Sequence, residues 1–470
     1  MLEKAAKKKE QGVEKMKTRK TVEFSKTSRL VTAVVAVATS VTLPMPASAD
    51  TVTTNGVTWT YITNADGVNT VSLGPGTATG TAGCTDNDRA IPAATSVSAS
   101  LIPWVFENNG VTYTVTRINK YAFYRCQGMI GTLTIPDTVK VVGERAFSDI
   151  GTSVTRVASL GGVTSVGNHA FNNISPLGDV PDFYNITSYG TSAFEAWTKV
   201  NGNANVVFNP ALTTIPAYLF RYSHITAVKI PRSVTKVSYG AFNGTYLSGL
   251  LIPGPATAAS DAQYTEVDPS GLLQNASYAK VFFAGRHTKA SSIRGNPMFD
   301  NTADLKAFVP ANGLWDGELN LGGTRTQLIK YGPGEELDFA LDTEEKVITA
   351  MPTTEAAFTN ALNWATLFKD KLGYDTRISV TNSIEVSGEA VTAEMLANVQ
   401  LNSTLMMFAV KTQAQLDSVL AAVPQTAMLA IDPTGAREEL TMPKDRALWV
   451  WLSGTGKYTP YFTGFKLIYR

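Results

Sequence analysis

The chain has 470 residues, 44% of them hydrophobic and 17% charged, enough apolar material for two or three packed domains; a single small module and bulk disorder are both excluded. The formal net charge of +1 hides an asymmetry, because residues 1–29 carry ten Lys/Arg against four Asp/Glu. The rest of the chain holds 30 basic and 35 acidic residues, so it has no basic surplus to neutralise a phosphate backbone and a nucleic-acid partner is not expected.

The basic start runs into an apolar segment, 30–43, then Pro44 and Pro46, then Ala47-Ser48-Ala49 before Asp50. That order of basic, apolar and small-x-small segments predicts a secretory signal, residues 1–49, cleaved between Ala49 and Asp50. A 14-residue apolar segment containing four Thr or Ser is too short for a spanning helix, which takes roughly 20 apolar residues. Met16, followed by Lys17, Arg19 and Lys20, would itself open a signal of ordinary length, so Met1 and Met16 both suit as the start. No later stretch is apolar enough to span a membrane, no Cys follows the apolar segment to take a lipid, and 465–470 holds no sorting motif. The mature chain is therefore expected outside the cell, secreted or held to its surface by non-covalent contact.

Val57-Thr58-Trp59-Thr60-Tyr61-Ile62 alternates as a strand does and precedes a Gly/Thr-rich loop, 74–83. Leu101-Ile102-Pro103 reads as a first short strand, and Asn109-Gly110 as a tight turn. A repeat then begins. Val115-Thr116-Arg117-Ile118 stands ahead of Ala122-Phe123, and the same unit returns with Phe147, Phe171, Phe194, Phe220 and Phe242. In all six copies the first apolar residue lies eight positions before the Phe. A second string, apolar-x-x-apolar-x-Ile-Pro, closes several units at 130–136, 225–231 and 247–253. A degenerate seventh copy is Tyr264-Thr265-Glu266-Val267 with Gly271-Leu272, and a weak eighth ends at Met298-Phe299 with Val309-Pro310.

The Phe-to-Phe steps are 24, 24, 23, 26 and 22 residues, within the period of leucine-rich solenoids, whose units bury their apolar face only by stacking. The Val/Ile/Thr pieces predict one short strand per repeat, each ended by Pro, with the Phe rings stacked into a spine and the preceding Ala letting the chain turn close to its neighbour. These units resemble the BspA-like class of bacterial leucine-rich repeats over about residues 101–310. The Gly of that pattern stands at Gly143, Gly167 and Gly190, but is Asn119 in the first unit and Ser238 in the sixth. The resemblance implies a β-rich leucine-rich repeat solenoid, 101–333, behind an amino-terminal β cap, 50–100; a raw solenoid end needs such a cap in any case. It also implies a surface protein engaged in adhesion.

The two cysteines are Cys84, in the cap, and Cys126, three residues after the first spine Phe. The resemblance makes Cys126 a plain buried thiol, while an even count in an exported chain favours a Cys84–Cys126 bridge tying the cap to the first repeat.

Beyond Gly332-Pro333-Gly334 the repeat stops. Segment 355–372 carries Phe358, Ala361, Leu362, Ala365, Phe368 and Leu372 on one helical face, and Thr412-x-x-Gln415 is a capping box opening a second helix. Strands are predicted at 405–410, 426–431, 447–452 and 461–469, which makes 335–470 a small α+β or α/β domain.

Chemistry is sparse. His169 occupies the slot before Ala170-Phe171 that elsewhere holds Tyr, Arg, Ser or Gly, so that slot reads as solvent-facing and unconstrained. The carboxyl domain has no His and no Cys, which removes Ser-His-Asp, Cys-His and typical zinc sites within it. Asp338, Asp342, Asp432 and Glu438 remain as acids for a carboxylate-based glycan hydrolase. Gly454-Thr455-Gly456-Lys457 lacks the spacing of a phosphate loop and reads as a hairpin turn; Asp86-Asn87-Asp88 lacks a calcium loop's Gly and Glu and reads as a polar loop. No catalytic residue, metal ligand or cofactor is expected. Trp449 and Trp451 alternate with three aliphatics on one strand, which makes them either a buried strand face or an exposed aromatic platform. The expected function is recognition of an extracellular protein or glycan through the solenoid, with an extracellular glycan hydrolase targeted by the solenoid as the alternative.

Overall fold

The computed structural model describes residues 49–470 except 66, 175–178, 199–203, 256–263, 277, 292–296, 299–303, 312–313, 316–326, 332–336, 381–384, 388–398, 404, 424–427, 434–435, 437–438, 444–447, 453–456 and 462–470. The signal segment before Ala49 and Phe299 of the eighth copy thus lie outside the described residues.

From the cap to Tyr331 the chain alternates short strands and turns, stacked as a β-solenoid. The Val-Thr-x-Ile pieces form one parallel ladder: Val111–Ile118, Val141–Val142, Ser165–Val166 and Ser188–Tyr189 pair in turn, with Arg117, Val141, Ser165 and Ser188 in one register column. Thr214–Ile215, Lys236–Val237, Thr265–Val267 and Thr288–Ala290 carry the same repeat position further. Thr recurs after the first apolar residue because its hydroxyl bonds the rung before it: Thr164 Oγ1 donates to Lys140 O, and Thr187 Oγ1 to Thr164 O, both at 3.3 Å.

Most turns carry a second rung where one was expected. Val97–Ser98, Met129–Thr134 and Val154–Ser159 form a parallel ladder of their own. Asn205–Val207 with Ala227–Lys229 and, further on, Gly249–Ile252, Val281–Ala284, Lys306–Pro310 and Gln327–Tyr331 do the same. Three of these strands, Met129–Thr134, Ala227–Lys229 and Gly249–Ile252, belong to the strings that run into Ile-Pro. Leu101-Ile102-Pro103 is not a rung; Val97–Ser98 takes that place and Leu101 ends a 3-10 turn, Ala99–Leu101. On the cap, Asp50–Thr54 and Val57–Thr63 form a hairpin whose second strand pairs with Thr70–Leu73, which joins Val111–Ile118. Asn109 and Gly110 have φ of 52° and 77°, the two left-handed residues of a tight hairpin turn.

The Phe column is a stacked spine. Ring centroids of Phe123, Phe147, Phe171, Phe194, Phe220 and Phe242 follow one another at 4.9, 5.3, 5.3, 5.7 and 6.4 Å, with planes within 18° of parallel, and all six side chains are buried. The backbone around each Phe alternates hand. Tyr121, Arg145, His169, Ser192, Tyr218 and Gly240, two residues before the Phe, have φ of 51–61°; Arg125, Asp149, Asn173, Ala196, Tyr222 and Gly244, two residues after, have φ of 54–70°. This alternation turns every second N–H toward the next repeat. Arg145, Phe147 and Asp149 donate in sequence to the carbonyls of Asn168, Ala170 and Asn172 at 2.9, 2.8 and 3.0 Å.

The His169 slot is therefore constrained where it was expected to be free. It is left-handed in every copy, and His169 is half-buried while Tyr121 and Ser192 are buried. Many side chains are accepted there, β-branched ones are not.

The seventh copy has one residue more than the others between Val267 and the spine. Gly271 and Asn275 take the two left-handed places, and Leu273, not Leu272, stands where Phe would be.

Gly143, Gly167 and Gly190 form a column because nothing larger fits. A Cβ on Gly167 would lie 2.5 Å from Glu144 N and 2.7 Å from Gly143 C, backbone atoms fixed by the ladder. Gly167→Ala is accordingly expected to cost about 1–3 kcal/mol or more, read as a lowered denaturation midpoint with unchanged slope.

The free thiols correct another expectation. Cys126 belongs to the inward column three residues after each Phe, with Ile150, Ile174, Trp197, Ser223 and Thr245, all buried. Its Sγ faces Ile91 O at 3.8 Å, and burial pushes its pKa up to about 12. Cys84 is also free, half-buried on the cap loop with Sγ 3.9 Å from Thr85 O. The clamp expected of a bridge is made instead by buried Arg89, whose Nε donates to Tyr124 O at 2.6 Å while its guanidinium pairs with Asp86 at 2.9 Å. Ala90 N also donates to Ala122 O at 2.7 Å.

The carboxyl region is α/β. Leu337–Asp342 and Val347–Pro352 form a hairpin, and the second strand leads through the helix Glu355–Leu367 to the parallel strand Asp375–Val380, which pairs with Val399–Ser403. A second sheet orders Glu385–Ser387, Leu405–Ala409, Met428–Asp432, Leu448–Leu452 and Lys457–Tyr461, with the helix Gln413–Ala422 crossing between its second and third strands. Thr354 caps the first helix, and the Thr412/Gln415 box caps the second. Lys457–Tyr461 is a strand, and the strand expected at 461–469 lies, beyond Tyr461, outside the described residues.

This region shares its core with the solenoid. Along Val281–Ala284, Phe282 and Ala284 face the solenoid interior while Val281 and Phe283 pack with Phe308, Tyr331, Phe339, Phe358 and Phe368. The strand is buried on both faces, as the period of two allows.

Candidate functional site

The residues singled out for chemistry do not converge. Asp338 and Asp342 sit four residues apart on one strand, which separates them by about 13 Å, wider than the roughly 5–9.5 Å a glycosidase pair takes. Asp338 is buried and ion-paired with Arg232 at 2.8 Å, and Asp342 Oδ1 accepts from Glu344 N and Glu345 N at 3.0 and 2.9 Å. Asp432 ends a strand of the other sheet, and Glu438 lies outside the described residues. Asp86 and Asp88 are engaged within their own loop, by Ala93 N and Thr85 N, each at 2.8 Å. Among the described residues, no group of His, Cys, Asp and Glu could hold a metal ion. Leu448–Leu452 is paired on both sides, by Met428–Asp432 and Lys457–Tyr461, so it is an interior strand; the side chains of Trp449 and Trp451 lie outside the described residues. Gly454-Thr455-Gly456 also lies outside them, between antiparallel strands in which Leu452 faces Lys457.

The surface offers an aromatic column elsewhere. His224 and Tyr246 each stand four residues after their spine Phe. The flanking residues Ser223, Ile225, Thr245 and Leu247 are buried, so the alternating backbone turns His224 and Tyr246 outward. Tyr278, between buried Ala276 and Ala279, continues the column. His224 and Tyr246 stack with centroids 4.0 Å apart and planes 17° from parallel, and Tyr278 follows at 4.5 Å. Tyr246 and Tyr278 are 38% and 55% exposed. Burial lowers the His224 pKa, so its ring is neutral near pH 7.

Tyr246 and Tyr278 border a groove of about 470 Å³ between the solenoid and the hairpin turn of the carboxyl region, within the size range of small-ligand sites. Its other lining groups include Asn205, Ser248, Lys280, Glu344, Lys346 and Tyr374. The Ser248 and Tyr374 hydroxyls are 3.0 Å apart, and Asn205 Nδ2 donates to Glu344. The carboxyl region can approach this closely because residue 249 is Gly: a Cβ there would meet Leu341 at 3.0 Å and the Tyr374 hydroxyl at 3.2 Å. The shared offset of His224 and Tyr246 from the spine was visible in the sequence. Which side of the turn it faces was not.

A family model described as the BspA type leucine-rich repeat region matches six copies, over residues 106–202 and 151–266. Among solved structures, a leucine rich cell surface protein from Faecalibacterium prausnitzii A2-165 is similar over 83% of this chain and 90% of its own, at 14% identity and a TM-score of 0.39. A leucine-rich repeat protein from Bacteroides ovatus ATCC 8483 is similar over 79% and 98%, at 13% identity and a TM-score of 0.23. The pneumococcal vaccine antigen PcpA is similar over 60% and 99%, at 11% identity and a TM-score of 0.22. No curated protein matches in sequence.

Proposed function

Starting from a repeat region, residues 106–266, that is of the BspA leucine-rich type, we propose that the protein is exported to the cell surface or the medium, where its solenoid recognises an extracellular protein or glycan without transforming it. The observation that carries the recognition reading is the His224–Tyr246–Tyr278 ring column, with Tyr246 and Tyr278 exposed on the edge of a groove. Burying such rigid rings against a partner costs little side-chain entropy, which is why exposed aromatics mark contact surfaces. Export is supported by the basic, apolar and Ala47-Ser48-Ala49 segments. Asp50, which would be the new amino terminus, is exposed and opens the strand Asp50–Thr54, paired on one side only. Among the described residues no helix is long and apolar enough to cross a membrane.

Protein recovered from the medium or cell surface is expected to begin at Asp50 on amino-terminal sequencing and to be retained on surfaces coated with host matrix proteins or cell-wall glycans. Extracellular material beginning at Met1 or Met16 would overturn export with cleavage. Failure to be retained on any coated surface, at low and at physiological salt, would overturn recognition.

A further inference from the structure

We propose that the groove beside Tyr246 and Tyr278 binds a carboxylate-bearing oligosaccharide, a reading that deepens, and rests on, the recognition function above. The aromatic wall supplies flat apolar faces of the kind that pack on the C–H faces of a pyranose ring. Thr226 and Ser248 of the solenoid and Thr343 and Tyr374 of the carboxyl region add hydroxyl and phenol groups, a hydrogen-bonding set matched to sugar hydroxyls.

The charge pattern selects the acidic class. Lys280 and Lys346 line the groove from its two sides, both exposed, and no carboxylate among the described residues pairs with either. Glu344, the acid of this groove, is already engaged by Asn205. Lys280 stands two residues from Tyr278 with buried Ala279 between them, so ring and ammonium project to the same side. Lys346 is held by its own left-handed backbone, φ 53°, and by its carbonyl accepting from Asp375 N at 2.8 Å. A sugar ring seated on the tyrosines places a ring carboxylate between two cations that have no carboxylate partner among the described residues.

The test uses the mature full-length chain and three probes: a hyaluronan hexasaccharide, a galacturonate oligomer and neutral chitohexaose. Binding is measured by calorimetry at low and physiological salt. Both acidic probes are expected to bind, more weakly as salt rises, and chitohexaose to bind at least about tenfold more weakly. Tyr246→Ala and Tyr278→Ala are each expected to weaken binding about fivefold to tenfold at an unchanged melting temperature, and Tyr278→Phe to restore it. Lys280→Gln and Lys346→Gln are each expected to cost about threefold and to flatten the salt dependence. Equal binding of chitohexaose, or lysine variants that bind as the parent does, would overturn the acidic assignment and leave recognition standing. Retention on matrix proteins with no binding of any oligosaccharide would assign the surface to a protein partner. Retention on no surface at all would remove both readings.

Discussion

Phe147→Ala is expected to destabilise the solenoid by about 3–5 kcal/mol. The ring has no exposed surface and lies between Phe123 at 4.9 Å and Phe171 at 5.3 Å. The gap left by alanine cannot close, because rung spacing is set by backbone bonds on both sides: Phe123 N to Ala146 O at 2.7 Å and Phe147 N to Ala170 O at 2.8 Å. Its lining atoms lose contacts outright, and a solenoid passes the loss on through nearest-neighbour interfaces. Hydrogen exchange should accordingly quicken in the repeats around Phe123 and Phe171 as well. His169→Ala is the control. It keeps a non-glycine residue in a left-handed slot and is expected to change stability by less than about 1 kcal/mol. Equal losses from the two variants in urea unfolding would show that the register of the spine is wrong.

Phe283→Ala is expected to cost a similar amount, about 3–5 kcal/mol, in a different part of the molecule. Its ring stacks on Phe308 at 4.8 Å and meets Phe339 at 4.4 Å, joining a solenoid strand to the carboxyl region. Exchange should quicken along Leu337–Asp342, Val347–Pro352 and the Glu355–Leu367 helix, while the repeats from Phe123 to Phe220 keep their protection. Phe282→Ala, one residue away on the same strand, removes a ring that packs on Trp315 at 6.1 Å inside the solenoid. The two variants should therefore loosen opposite sides of one strand. Identical exchange patterns would contradict burial on both faces.

Several features were legible in the residues alone because their causes are local and recur. Six copies of an apolar-Thr-x-apolar piece eight residues ahead of a Phe satisfy one steric and hydrogen-bonding requirement repeatedly, so register, period and spine follow from spacing. The Thr412/Gln415 box shows its helix start because a cap is satisfied within four residues of chain. The Gly143, Gly167 and Gly190 column was readable as a recurrent Gly, and the clash with the preceding rung explains it.

What the tertiary structure decided depends on partners distant in sequence. The Ile-Pro strings were legible, but their forming a ladder separate from the Val-Thr-x-Ile pieces was not, because the strands from Met129–Thr134 to Gln327–Tyr331 keep no fixed distance from the Phe and are stabilised by the neighbouring turn. The left-handed residues escaped notice because Tyr, Arg, His and Ser carry no mark of hand; only the converging N–H ladder imposes it. Cys126 joined the inner column rather than a bridge because its position after Phe123 points into the core. The exposure of Tyr246 and Tyr278, and the groove they border, depend on a carboxyl region that begins about 60 residues beyond Tyr278 and seats itself on Gly249. The sequence by itself determined the repeat, because repetition writes one set of short-range forces many times over. The groove was decided by packing alone, since it forms once, between segments that share no local signal.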